Sequence, residues 1–134
     1  MYYLLQYFVS VEPEQSNEGR GRVITISSDV IRGYNDTMIL YLLGKESSYG
    51  YSLSKQIREL SGGKYVIKET TLYSAFNRME KNGYISSYPG AAQNGKKRTY
   101  YRITELGREY YQEKCAEWEL TKEVVEAFIE GKRR

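Results

Sequence analysis

Apolar residues recur at helical spacing in several stretches of the chain and alternate at strand spacing in two short ones. The clearest stretch is Glu69–Asn82. There Leu72, Ala75, Phe76 and Met79 share one side of a helix. Thr70, Ser74, Asn77 and Lys81 fall on the other side, flanked by Tyr73 and Arg78. Asn82-Gly83 ends this helix, because the chain must turn left-handed or open there. Tyr84–Tyr88 and Thr99–Ile103 alternate apolar and polar and read as the strands of a hairpin. Their link contains Asn94-Gly95, a strong turn signal, followed by Lys96-Lys97-Arg98.

Upstream, Ser27 or Ser28 caps a helix with Asp29 in its first turn. Val30, Ile31, Tyr34, Met38, Tyr41 and Leu42 give it a wide apolar face, widened further by Ile39, Leu40 and Leu43. Such a helix is buried by more than one neighbour, and Gly44 is expected to stop it. Ser47-Ser48 is expected to cap a second helix, Tyr49–Leu60, with Tyr49, Leu53, Ile57 and Leu60 inward. Gly50 has two readings of equal weight: a helix N-terminus approaching a DNA phosphate, or a helix-packing glycine. Tyr65-Val66-Ile67 reads as a small third strand beside the hairpin.

Thr104 caps the last helix, with Glu105 favouring its N-terminus. Tyr111, Cys115, Trp118, Val125 and Ile129 form a heptad-like seam, interrupted by Lys122. Leu120, Val124, Ala127 and Phe128 form a second stripe. Residues 105–130 predict a rod about 39 Å long. A domain of three helices cannot cover that length, so the seam predicts a partner, most simply the same helix of a second copy. Residues 1–22 are harder to read. An apolar start gives way to a polar, turn-rich run. The segment is either an arm docking on the domain or a partner, or a translated upstream stretch with the native start at Val23.

Composition removes several chemistries. With no histidine there is no His general base, no Ser-His or Cys-His pair and no His metal site. The single cysteine, Cys115, forms no intrachain disulfide and builds no zinc site, which suits a reducing cytoplasm. It reads as a small packed residue, with a redox-sensing thiol the lesser reading. No apolar run reaches the roughly 18 residues a membrane span needs. No cofactor and no catalytic residue is expected. The 15 tyrosines, against 3 phenylalanines, are expected to be half-buried with wet hydroxyls. Net charge is only +3, so the local basic cluster carries more of the argument than the total.

A short helix with a polar, donor-rich outer face fits a DNA major groove. A hairpin with a cationic tip placed after it fits the adjacent phosphate backbone. Tyr49-Gly50-Tyr51, Thr71-Leu72-Tyr73, Gly83-Tyr84-Ile85, the run Arg98 to Thr104 and Glu105-Leu106-Gly107 follow in that order. Together they resemble the PadR family of transcriptional regulators, over roughly Ser27 to Ile129, with one C-terminal helix as in its short subfamily.

The resemblance implies a mainly α fold with a small β-hairpin wing (α+β). It implies a winged helix-turn-helix domain at 27–103, a C-terminal dimerisation helix at 104–134, and 1–26 as an N-terminal extension. The expected function is a cytoplasmic, homodimeric, ligand-responsive repressor on double-stranded palindromic operator DNA. A winged-helix protein-interaction module is the alternative. Tyr51, Thr70, Thr71, Tyr73, Ser74, Asn77 and Arg78 are the candidate DNA contacts, with Lys96, Lys97 and Arg98 on the backbone. From the residues alone, Trp118 anchors the helix seam. The resemblance adds that it stacks on flat ligands at the dimer interface, making a planar aromatic or phenolic effector the expected small molecule.

Overall fold

The computed structural model describes residues 23–91 and 95–131. Residues 1–22, residues 92–94 with Asn94 of the predicted turn, and residues 132–134 lie outside that description. The chain divides into two units, Met1–Arg32 and Gly33–Arg134. In the first, α1 is a single turn, Ser28–Ile31, capped by the Ser27 hydroxyl, which accepts from the Val30 amide at 3.3 Å. Asp29 and Arg32 pair at 3.2 Å on its exposed surface.

The expected long helix from Ser27 to Gly44 is interrupted by a 3-10 turn at Arg32–Tyr34. Helix α2 then runs Asn35–Lys45. Gly44 lies inside it and does not stop it; the extended Glu46 does, with its amide bonded to the Leu42 carbonyl. Ile39, Leu40, Leu42 and Leu43 are buried, whereas Tyr41 is 42% exposed. As its wide apolar pattern predicted, α2 has more than one neighbour: it touches α3 (Gly50–Leu60), α4 (Glu69–Lys81), α5 (Glu105–Glu126) and a wing strand.

The sheet is antiparallel, with β1 (Ser48–Tyr49), β2 (Ile85–Pro89) and β3 (Thr99–Ile103) in the order β1-β3-β2. Tyr101 faces Ser48 on one side and Ser87 on the other. Two expectations are corrected here. The third strand is Ser48–Tyr49, not Tyr65–Ile67. Ser48 is therefore buried in the sheet and caps nothing; α3 is preceded by extended Tyr49 with no side-chain cap. Tyr65–Ile67 is instead a packed connector. Ile67 is 4% exposed, and the Tyr65 hydroxyl donates to Asn35 Oδ1 at 2.7 Å.

Leu53 and Ile57 bury α3, while Leu60, expected inward, is 68% exposed at its last residue. The core gathers these with Leu72, Ala75, Phe76, Met79, Ile85 and Tyr101. Phe76 stacks on Tyr101 at 4.0 Å, joining α4 to the sheet.

Thr104 joins the wing to the last helix. Its amide donates to the Tyr84 carbonyl at 3.0 Å and its hydroxyl to the Gly83 carbonyl at 2.6 Å. The same hydroxyl accepts from the Gly107 amide at 3.0 Å, closing the predicted cap. Gly83 turns left-handed there, at φ 82°. Tyr84 and Tyr110 lie nearly parallel at 4.0 Å. Helix α5 ends at Glu126 and is followed by a turn from Ala127, so its 22 residues span about 33 Å, shorter than the rod expected. Leu120, Val124 and Val125 in its last turns, and Phe128 just beyond, are all at least half exposed.

Candidate nucleic-acid interface

Burial of one side of α4 determines what its other side presents. Leu72, Ala75, Phe76 and Met79 are sunk in the core. Thr70, Tyr73, Ser74, Asn77, Arg78 and Lys81 are therefore exposed, and Thr71 is half-buried beside them. Lys68 precedes the helix without a side-chain cap, so the first amides of α4 are left without one.

Three contacts aim this helix. At its C-terminal end the Glu80 carboxylate accepts from the Ser87 hydroxyl at 2.7 Å and the Ser87 amide at 3.2 Å, tying α4 to β2. In its middle, Arg78 Nη2 donates to Asp36 Oδ1 of α2. Toward its start, the Tyr73 phenol lies over Gly50, the first residue of α3. A Cβ on Gly50 would overlap that phenol, so the glycine packs helix against side chain. Tyr51 beside it is 69% exposed at the start of α3.

The wing is braced by aromatic rings. Tyr88 and Tyr100 face each other across β2 and β3, and Tyr49 continues the row from β1. The Arg98 guanidinium lies 4.3 Å over the Tyr49 ring and that of Arg102 lies 4.3 Å over Tyr88. Cations over tyrosine faces are attracted by the ring quadrupole. Gly90 leaves room for the Tyr100 ring, and its amide donates to the Arg98 carbonyl at 2.8 Å. Beyond them Gly95 is left-handed at φ 74°, and Lys96 and Lys97 stand exposed. Of the three predicted backbone cations, two thus stand in the wing loop, while Arg98 is half-buried where that loop meets β3.

Trp118 sits on α5 with its ring edge-on to Tyr34 at 5.2 Å and is 41% exposed. Lys122 lies 5.8 Å over it. A cavity of about 380 Å³ lies elsewhere, between α2 and the start of α5, walled by Leu40, Tyr41, Ile103 and Tyr111 with Arg108 and Glu109 beside them. The Tyr111 hydroxyl is pushed up to about 12 by a hydrogen bond with Cys115 and by burial, so that ring is neutral at physiological pH. Among the described residues no cluster of acidic residues or cysteine is placed to hold a metal ion, and no helix is long and apolar enough to cross a membrane.

Sequence reasoning passed over Asp36 and Glu80. A signal existed for the first: a buried acid in the first turn of a largely apolar helix needs a partner. The partner's identity was not local to the sequence.

The profile of the Transcriptional regulator PadR-like family matches residues 39–113. A protein of Lysinibacillus sphaericus is 43% identical over 106 residues, covering 79% of this chain and 97% of that protein. Among solved structures, a transcriptional regulator from Clostridium thermocellum is 62% identical, with a TM-score of 0.73, covering 77% of this chain and 100% of that one. A PadR family transcription regulator from Clostridium difficile is 36% identical, with a TM-score of 0.62, covering 71% of this chain and 97% of that one. The family consists of regulators of transcription and not of enzymes. Since its profile spans more than half of the residues and the likeness extends over nearly the whole of these relatives, the chain belongs to the PadR-like family of transcriptional regulators.

Proposed function

We propose that this chain is a cytoplasmic, homodimeric, DNA-binding repressor that reads a palindromic operator with α4. The observation that carries the reading is the outer face of α4. It is polar and short-armed, and contacts to α2, α3 and β2 hold it in place. Thr70, Thr71, Tyr73, Ser74 and Asn77 are the residues assigned to base edges and nearby phosphates, with Tyr51 at the start of α3. Lys96 and Lys97 grip the adjacent backbone. Arg98, over the Tyr49 ring, holds the base of the wing loop and lends its charge there. An acidic or apolar face on α4 would have favoured a protein-interaction module instead.

The exposed residues Leu120, Val124 and Val125 of α5, with Phe128 just beyond it, support the dimer. A two-fold axis places two α4 helices on half-sites about 10 bp apart. Trp118, half exposed near this apolar stretch, is the residue assigned to a planar aromatic or phenolic effector.

A mobility-shift titration with the gene's own upstream DNA tests the reading, alongside sedimentation of the purified protein. Preference for that fragment over a scrambled duplex of equal length, by a dimer, is expected. A stable monomer, or equal affinity for both duplexes, refutes it.

A further inference from the structure

The Asp36 carboxylate is close to buried, with 11% of its side chain exposed, yet it belongs to α2, which meets no ligand in the reading above. Its hydrogen bond is to Arg78 Nη2. Lys114 of α5 also feels the Asp36 charge, but its ammonium donates to Glu117 at 2.7 Å. Arg78 is thus the cation that satisfies the buried acid. Its side chain is 52% exposed and emerges at the border of the outer face of α4.

A guanidinium carries five donors in a rigid plane. One bond to Asp36 restrains that plane, and the other donors of the half-exposed guanidinium are not spent on it. An arginine is the commonest reader of guanine, through a bidentate fork on its O6 and N7, and such a fork works only when its plane is held. A free arginine on a helix surface would need to be ordered at the moment of binding.

We propose that Asp36 is a positioning residue for base reading, acting through Arg78. The buried carboxylate presets the arginine fork at the border of the reading face, and so contributes to discrimination between sequences rather than to general affinity. The proposal rests on the DNA-reading role given to α4. A purely structural ion pair would behave differently: its loss would loosen the fold and weaken binding to every duplex in the same proportion.

The test measures the ratio of affinities for the gene's own upstream duplex and a scrambled duplex, together with thermal unfolding. Asp36→Asn keeps the shape and removes the charge. It is expected to lower that ratio about tenfold. Affinity for the scrambled duplex should hold or rise, because a negative charge near the phosphates is gone. Asp36→Asn added to Arg78→Ala should lower the ratio no further than Arg78→Ala alone, the non-additivity expected of residues acting as a unit. Should Asp36→Asn fold poorly, Asp36→Glu keeps the charge and displaces the fork by one methylene; it too should lose discrimination while keeping the salt slope. An unchanged ratio in a folded variant, equal losses on both duplexes, or additive effects of the two positions overturn the proposal. If the unaltered protein itself shows no preference, the DNA reading fails first and the role of Asp36 falls with it.

Discussion

The phenol of Tyr73 lies in the space that a side chain at Gly50 would need. A candidate reading residue of α4 is thereby held at the start of α3. Tyr73 is held on its other side by the edge of Phe76, at 5.2 Å and 89°. Gly50→Ala must therefore expel the phenol. Since the overlap is with the free end of a side chain that is 41% exposed, the fold can yield. Stability is expected to fall by about 1 kcal/mol, at the low end for overpacking. Affinity for the upstream duplex should fall more than stability implies. Matched unfolding curves and mobility shifts check this. A variant with normal DNA preference would show that the phenol's place is immaterial to reading.

Gly107 presents the opposite case. A Cβ there would run into the Tyr84 carbonyl and the Ile103 side chain, and the carbonyl cannot swing aside. That carbonyl already accepts the Thr104 amide. Gly107→Ala should cost about 3 kcal/mol, the upper range for overpacking, and lower the denaturant midpoint without changing the slope. A loss below about 1 kcal/mol would mean the wing-to-α5 junction is looser than its hydrogen bonds indicate.

Lys96 and Lys97 are exposed in the loop of the wing. Replacing both with alanine should weaken binding to every duplex alike. The slope of log affinity against log salt should flatten by about 2, one unit for each lost phosphate contact. Asn77→Ala should do the reverse, leaving the salt slope alone and relaxing the choice among operator variants. If the two changes give the same pattern, the division between gripping and reading is wrong.

Trp118 is the sole tryptophan, so its emission reports one place. Titration with a planar cationic dye should quench or shift it, saturably, and Trp118→Ala should abolish dye binding while leaving the secondary structure intact. Emission that stays constant through saturating dye removes the effector role and leaves Trp118 as a packing residue against Tyr34, 5.2 Å away.

Much of this was legible in one dimension. A helical period specifies which side of an element is apolar, so Leu72, Ala75, Phe76 and Met79 had to be inward and Thr70, Ser74 and Asn77 outward. Alternation marked β3 to the residue, and Thr104 announced the cap of α5 because the short hydroxyl can reach an amide two or three residues on. Asn82-Gly83 marked where the chain leaves α4 for the wing, by a left-handed or an open turn; the structure takes the left-handed one, at Gly83. What no local pattern contains is the identity of a distant neighbour. Ser48–Tyr49 and Tyr65–Ile67 are both short segments able to extend; only the placement of α2 and α3 brought the first beside β3. Gly44 and Gly50 look alike in sequence, yet one is an ordinary helix residue and the other makes room for a ring. The same holds for Asp36 and Arg78, 42 residues apart in the chain. Their pairing exists because packing the core carried a buried acid to the flank of the reading helix, a result of the whole fold and of no single segment.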